Sequence, residues 1–597
     1  MSSIASTAHP QITYNRRLLF VAGLGGLLYG IDVGIIAGAL PYMEATSGLN
    51  AGQLSFVVAA VLLGSVIATL FAGLLADWLG RRNLMTLSGA LFVASIPLIA
   101  ASQGFGSLVL GRLLQGVSGG LIGVVIPLYL AECLGAKERG KGTGMFQWML
   151  VCGFVIAAVI ALYFSYRVAE VDQLGDPARL LAFKDTAWRR IFWVSLPPGV
   201  LFVLGSFFVA ESPRWLFLRG RKDAARAALL RSRDEQQTEV ELHEMATRAA
   251  AVGVKVAAGG GRAKESLLSR KYVIPFLLAC VILACNQATG INSIIGFNAN
   301  IFIQSGLSDV QAHYGNLLFT LVNFIMTMVA VLLVDRKGRK FLLTLGTAGI
   351  IVSLVVVGLL FRRTEQRRVE ARALVQTLVT ADQTATIIFN AVSARGLLAS
   401  SGEAGTTLVG HPLTLSIIYS YGGFRSTTAT VRSDDVAAAP LEITRGRCLP
   451  PNKVSAFFAN PFASLDEART APLVIENALL TPVPGTRNGW LTAIGTFCFM
   501  GFFAIGPGVC VWLALSELMP TRIRSNGMSI ALFLNQAVST TIAAIFLPTV
   551  GKYGYSTMFF LFAGCTVIYF VTAAFFLPET KGKTLEEIEA AFEAKSG

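Results

Sequence analysis

The sequence predicts an all-α membrane protein of twelve transmembrane helices in two six-helix halves. Three observations carry this expectation: the composition, the apolar runs and an internal repeat. Of 597 residues, 54% are hydrophobic and only 14% charged, and the mean hydropathy is +0.63. A soluble chain carries about 25% charge. A surplus of Lys and Arg gives +14, but it falls in loops between apolar runs, which is a topology signal and not a nucleic-acid-binding face. The eight cysteines show neither metal spacing nor a disulfide framework.

The runs fall at 18–40, 54–76, 84–102, 107–131, 142–164 and 190–210, then at 272–303, 314–334, 341–361, 489–516, 525–549 and 555–577. Each is long enough to cross about 30 Å of hydrocarbon. The first also serves as the targeting segment, since residues 1–17 lack a cleavable signal's apolar core. Arg81, Arg82, Lys137, Arg139, Lys141, Arg336, Lys337, Arg339, Lys340, Arg522 and Arg524 follow even-numbered spans. The loops after spans 1, 3 and 7 hold no Lys or Arg. The positive-inside rule therefore places both termini in the cytoplasm of a multi-pass inner (plasma) membrane protein.

The repeat fixes the halves. GLLADWLGRR (73–82) matches VLLVDRKGRK (331–340) at an offset of 258, and PLYLAECLGAKERGKG (127–142) matches WLALSELMPTRIRSNG (512–527) at 385. The offsets differ by 127, the length of segment 362–488. The expected domains are thus 1–210 as the first half, 211–271 as a cytoplasmic helical domain, and 272–361 with 489–577 as the second half. An extracytoplasmic domain is inserted at 362–488 and a cytoplasmic tail closes the chain at 578–597. The insertion is too long for an ordinary connection. It is expected to open with a polar helix (RRTEQRRVEARALVQTL) and continue with strands, TATIIFNAV and LTLSIIYSYGGFRSTTATV, the latter turning at Gly422–Gly423.

Asp32 is the one acid in the central part of an apolar run, where a carboxylate costs several kcal/mol unless paired, hydrated or protonated. His9, His243, His313 and His411 read as terminal or loop residues, so a proton carried through the membrane must ride on a carboxylate. Arg112, near the start of span 4, is the expected partner. Burial favours a neutral carboxyl and a nearby guanidinium the charged one. An Arg112 that approaches Asp32 in one conformation only would make proton affinity differ between conformations, which is what coupling requires. The bland alternative is a permanent salt bridge.

Glu132 and Glu517 each precede an arginine, Arg139 and Arg524, by seven residues, and Asp77 stands before a basic turn in the first copy. These charges are expected to form networks that latch the halves on the cytoplasmic side. A ligand with many hydroxyls and one apolar face would need amides, which donate and accept at once, and an aromatic platform. Gln147, Asn286, Gln287, Asn292, Asn323, Asn535 and Gln536 lie in spans 5, 7, 8 and 11, with Trp512 in span 10. Gly290, between Gln287 and Asn292, is expected to unwind span 7.

Seven stretches in order resemble the sugar porter family of the major facilitator superfamily. They are GLLADWLGRR, GRLLQGVSGGLIGVVIPLYLAE (111–132), ESPRWL (211–216), NQATGIN (286–292), VDRKGRK (334–340), GPGVCVWLALSE (506–517) and PETKGKTLEE (578–587). The resemblance implies a major facilitator fold with alternating access around a central sugar site. It adds Arg81, Arg82, Glu211, Arg214, Asp335, Arg339 and Glu579 to the latch, and it favours proton symport because the family's symporters carry an Asp in this span-1 motif. The chain departs from the family at Asn286, Phe154, Gly296–Phe297 and Gln536, where the family usually has Gln, an amide, a Tyr pair and Trp. The expected function is proton-coupled import of a hexose or pentose by a monomer in the lipid bilayer. A proton-independent sugar or polyol uniporter and an inositol-like polyol symporter stay open beside it. A sugar sensor or an enzyme finds no support, and neither cofactor nor metal is expected.

Overall fold

The computed structural model describes residues 4–134, 139–257, 270–399, 408, 410–426, 429–434, 440–450, 453, 456, 460, 462–519 and 524–578. Twelve helices among them are long and apolar enough to cross a membrane. Spans 1–6 are Gln11–Thr46, Ala51–Leu79, Arg81–Ala100, Phe105–Cys133, Gly144–Asp172 and Pro177–Phe207. Spans 7–12 are Tyr272–Gln304, Asp309–Val334, Arg339–Glu365, Thr486–Val511, Ile530–Tyr553 and Tyr555–Phe576.

Local chemistry sets several ends. Capping boxes Asn50/Gln53 and Ser308/Gln311 start spans 2 and 8 by satisfying otherwise orphaned N–H groups. Gly80 and Gly338, 258 residues apart as the repeat requires, both sit at φ near +90° (92° and 88°) between consecutive spans, a turn that a Cβ would strain.

Spans 1 and 5 pack closely because glycines at every fourth position of span 1 put backbone against backbone. A Cβ on Gly30 would lie 1.9 Å from the Leu150 carbonyl oxygen, and one on Gly26 2.3 Å from that of Phe146. Span 1 therefore turns Asp32, on its other side, toward span 4. The halves meet through spans 2 and 11, spans 5 and 8, and span 1 with the second part of span 7. At one end of the bundle they share a continuous core, which includes Ile35, Leu40, Phe154, Phe297, Phe302 and Phe546. At the other end each half has its own core.

That second end carries the helices Pro213–Leu218, Lys222–Leu230 and Glu235–Ala257, and is called the domain face below. Lys222–Leu230 is amphipathic and buries Ala225, Ala228 and Leu229. Arg233 ties this group to the bundle by donating to the Cys133 carbonyl at 2.7 Å.

The opposite, insertion face carries strands β1 (Val369–Glu370), β2 (Ala385–Ile387), β3 (Leu413–Tyr421), β4 (Phe424–Arg425), β5 (Ala429–Arg432), β6 (Leu441–Ile443) and β7 (Leu473–Pro482). The main sheet runs β1-β7-β3-β4, with β5 also on β3, and β2 pairs with β6. Inward side chains such as Leu415, Ile417, Ile475 and Leu480 give this unit its own core. The turn at Gly422–Gly423 is where the sequence placed it. Two other expectations are corrected. Arg362–Glu365 finishes span 9 and the chain then turns into β1, so no single polar helix opens the insertion; a six-residue helix follows at Arg372–Thr377. TATIIFNAV keeps only three strand residues and passes into a helix, Ala391–Ala399. Cys448 is half-buried there against apolar groups, and that partial desolvation pushes its thiol up to about 11.

Candidate functional site

Asp32 and Arg112 are both 1% exposed, and the carboxylate lies 3.9 Å from the guanidinium. That is ion-pair distance without a hydrogen bond. Arg112 Nη1 donates instead to Gln115 Oε1 at 2.6 Å, and its guanidinium lies over the Phe192 ring at 5.7 Å. Neither Asp32 oxygen has a hydrogen-bond partner among the described residues. Gly119 makes the room: a Cβ there would stand 3.0 Å from Asp32 Oδ2. Two unit charges at 3.9 Å attract by roughly 4 kcal/mol at an effective dielectric of about 20. Desolvating each ion costs several kcal/mol. Attraction and desolvation thus oppose each other at this pair with energies of the same order.

The amide cluster forms where span 7 breaks. The helix Arg270–Ala288 ends and Ile291–Gln304 begins, with Gly290 at φ +82° between them. The break turns Asn292 back so that its Nδ2 donates to Gln287 Oε1 at 3.0 Å and to Ser539 Oγ at 2.7 Å. Gln287 donates to Asn535 Oδ1 at 3.2 Å, and Asn535 to the Leu283 carbonyl at 2.9 Å. The buried Asn286 Oδ1 has no partner among the described residues. Spans 7 and 11 thus hold a set of mutually bonded amides whose donors and acceptors a polyhydroxylated ligand can take over one for one. Asn323 stands apart, accepting from Thr327 at 3.4 Å and lining a small cavity with Gly34, Phe154, Asn316 and Thr320. Gln147 and Gln536 are half-buried and not joined to the cluster among the described residues. Arg139, Asp335, Trp512, Glu517 and Arg524 lie on described helices, but their side chains, like all of Glu579, lie outside the described residues.

At the domain face Arg81 is the hub. It meets Glu132 at 2.9 Å and Asp77 at 3.0 Å, and donates to the Ala76 carbonyl. Glu132 also accepts from Ser212 Oγ at 2.5 Å. Glu211 accepts from the backbone N–H groups of Arg81 and Arg82, at the start of span 3, where a helix favours an anion. The Arg82 guanidinium joins no ion pair among the described residues; it donates to the Ser206 and Phe207 carbonyls that end span 6. Arg214 is exposed and joins no ion pair among the described residues; Arg219 takes its place by donating to the Asp77 and Trp78 carbonyls. Arg339 donates to the Val334 carbonyl at 3.4 Å. Each described contact of this network stays within one half or runs from the first half to the segment after it, so none of them joins one half to the other.

The side-chain bonds that do cross the halves, among the described residues, lie at the insertion face. Tyr42 donates to Asp309 Oδ2 at 2.7 Å, Asn300 to Glu44 Oε2 at 2.6 Å, and the Leu547 N–H to Ser55 Oγ at 3.1 Å. His313, read from the sequence as a loop residue, is fully buried in the second turn of span 8 and faces the Gly38 carbonyl. The reason is that span 8 starts at its capping box, earlier than its first strongly apolar residues. Gln115 and Ser539 were also missed, although their spacing three or four residues after Arg112 and Asn535 places each on the same helix face.

Twelve spans in two packed halves, with a buried charge pair in one and an amide cluster in the other, define a membrane transporter and not an enzyme. The family model described as "Sugar (and other) transporter" matches residues 18–394 and 475–592. The chain belongs to that family, and residues 395–474 of the insertion lie outside the match. It is 25% identical to the glucose transporter GlcP of Staphylococcus epidermidis over 587 residues, which cover 98% of each chain. It is 27% identical to the proton myo-inositol cotransporter of Homo sapiens over 577 residues, 96% of this chain and 81% of that one. With the galactose-proton symporter of Escherichia coli the identity is 32% over 341 residues, 57% of this chain and 68% of the relative. A partially occluded, inward-open structure of the E. coli xylose transporter XylE superimposes with a TM-score of 0.61 at 17% identity, over 95% of this chain and all of that one, which shows the shared major facilitator fold.

Proposed function

We propose that the protein imports a monosaccharide, a hexose or a pentose, by proton symport through alternating access. The observation that carries the reading is Asp32: fully buried, 3.9 Å from Arg112 and without a hydrogen bond, in a state whose halves are joined at the insertion face. In this reading Asp32 binds the proton while Arg112 is held by Gln115. Loss of the proton draws the guanidinium onto the carboxylate, so the proton's affinity changes as the halves rock. The substrate displaces the mutual bonds of Gln287, Asn292, Asn535 and Ser539, with Asn286, Asn323, Gln147, Gln536 and Trp512 around it.

The relatives named for proton-coupled galactose and inositol transport support this reading. An inositol-like polyol is the second reading for the substrate, favoured by the inositol transporters among the relatives. The protein works as a monomer in the plasma membrane, with the insertion face outside and the domain face, with both termini, in the cytoplasm. Proteoliposomes given a panel of hexoses, pentoses and inositols, with and without an imposed proton gradient, test the proposal. Uphill uptake of one sugar that collapses with a protonophore is expected. Uptake that only equilibrates, whatever the gradient, contradicts it.

A further inference from the structure

We propose that the insertion is a roof over the gate on its face, carried by the second half alone, so that the chamber beneath it opens and closes with that gate. The insertion and the bundle enclose a chamber of about 1870 Å³. Its floor is the seam between the halves: Tyr42, Glu44, Asn300 and Asp309, whose side-chain bonds join the halves there, all line it. Thr414 and Arg432 of the insertion line it from above, and Asn50 and Lys184 give the first half's share of the wall. A pocket that encloses a small ligand tightly measures roughly 300–1000 Å³. The chamber exceeds that range, so it admits a ligand with its water and serves as an antechamber to the gate, not as a second tight site.

The roof is fastened on one side. The insertion leaves span 9 and returns into span 10, both in the second half. Its first and last strands pair with each other, Val369 opposite Leu480 and Glu370 opposite Leu479, so both connections meet the bundle at one place. At the entry Arg368 pairs with Glu365 of span 9 at 3.3 Å, and Glu365 accepts from the Ser556 hydroxyl of span 12. At the exit the turn after span 7 packs backbone on backbone against the chain: a Cβ on Gly306 would lie 2.1 Å from the Pro484 carbonyl oxygen. Arg432 of β5 donates to the Ile303 carbonyl of span 7 at 3.2 Å. Each hydrogen bond and ion pair described between the insertion and the bundle thus goes to the second half. The insertion packs around a core of its own residues, so it moves as one body.

When the halves part, Tyr42 and Glu44 leave with span 1, while Asn300 and Asp309 leave with spans 7 and 8 and take the roof with them. The roof therefore lifts from the first half's wall as the gate below it opens, which is a rigid-body motion about an interface. Residues 395–474 lie outside the family match, so the roof is this chain's addition to the shared fold. The inference rests on the alternating access proposed above, but not on the sugar or the proton.

The test places genetically encoded spin labels, two at a time and in nanodiscs, at three exposed positions: Val392 on the insertion helix Ala391–Ala399, Lys552 near the end of span 11 and Leu174 of the first half. Leu174–Lys552 reads the gate, Val392–Lys552 the roof against the second half, and Val392–Leu174 the roof against the first. Tyr42→Phe with Glu44→Ala removes two bonds of the seam and should lower the closed-to-open ratio of the gate pair about tenfold, the worth of two net hydrogen bonds. Val392–Leu174 should lengthen in the same fraction of molecules, and Val392–Lys552 should keep its wild-type distribution. A Val392–Lys552 distribution that shifts with the gate, or a Val392–Leu174 distribution that does not, overturns the proposal. If the double variant does not fold, Ser55→Ala, which removes the bond from the Leu547 N–H, is read in the same way. A gate pair that stays fixed overturns the proposal too, since the chamber's floor would then not be the gate. The measurement needs neither sugar nor gradient, so a failed roof is told apart from a failed transport reading.

Discussion

Gly290→Ala separates two costs at the break in span 7. The glycine sits at φ +82°, where an L side chain costs about 1–2 kcal/mol. A Cβ there would also stand 2.3 Å from two ring atoms of Phe562, against a comfortable separation of roughly 3.5–4.0 Å. Phe562 cannot swing away, because it is 1% exposed and stacks on Phe546. Overpacking of that kind costs about 1–3 kcal/mol, so the substitution should destabilise by about 2–5 kcal/mol in total. Equilibrium unfolding in mixed micelles of Gly290→Ala, Phe562→Ala and the double variant closes a cycle. The cavity left by Phe562→Ala is costly itself, but the steric part of Gly290→Ala should vanish in its presence, giving a coupling of about 1–3 kcal/mol. Additivity within about 0.5 kcal/mol would refute the packing argument.

Two further substitutions use the same assay. Glu132→Gln leaves the buried Arg81 with the exposed Asp77 as its one anionic partner among the described residues and should cost about 3 kcal/mol, the low end for breaking a buried pair; a loss below about 0.5 kcal/mol would show that the hub is dispensable. Gly30→Ala, with its Cβ 1.9 Å from the Leu150 carbonyl, should cost more than about 2 kcal/mol, whereas Gly123→Ala, which meets nothing within 4 Å, should be neutral or stabilising by up to about 1 kcal/mol. Equal effects would remove the close-packing account of spans 1 and 5.

Much of this architecture is legible in the sequence, because membrane spans announce themselves by length and apolarity. The repeat offset of 258 reappears as the matched turns at Gly80 and Gly338, and Gly290 and the Gly422–Gly423 pair mark a real break and a real turn. The sequence was less informative about partners. It named Asp32 and Arg112 but not Gln115, whose bond to Arg112 decides where the guanidinium points. It put Arg82 and Arg214 in the charge network, whereas helix-end carbonyls and solvent hold them, since a guanidinium is satisfied as well by carbonyls as by carboxylates. It set His313 aside because polarity near a span's end resembles a loop; only packing against the other half shows it buried. The opening of the insertion went wrong because β1 is defined by pairing with β7, about 110 residues away, and not by local propensity.

The coupling role of Asp32 is tested most directly in proteoliposomes of the Asp32→Asn variant, by comparing sugar accumulation under a proton gradient with sugar exchange at equal concentrations. Loss of accumulation with exchange retained is the predicted result, because asparagine keeps the side chain neutral in both conformations. Uphill transport at the wild-type level by Asp32→Asn would contradict it.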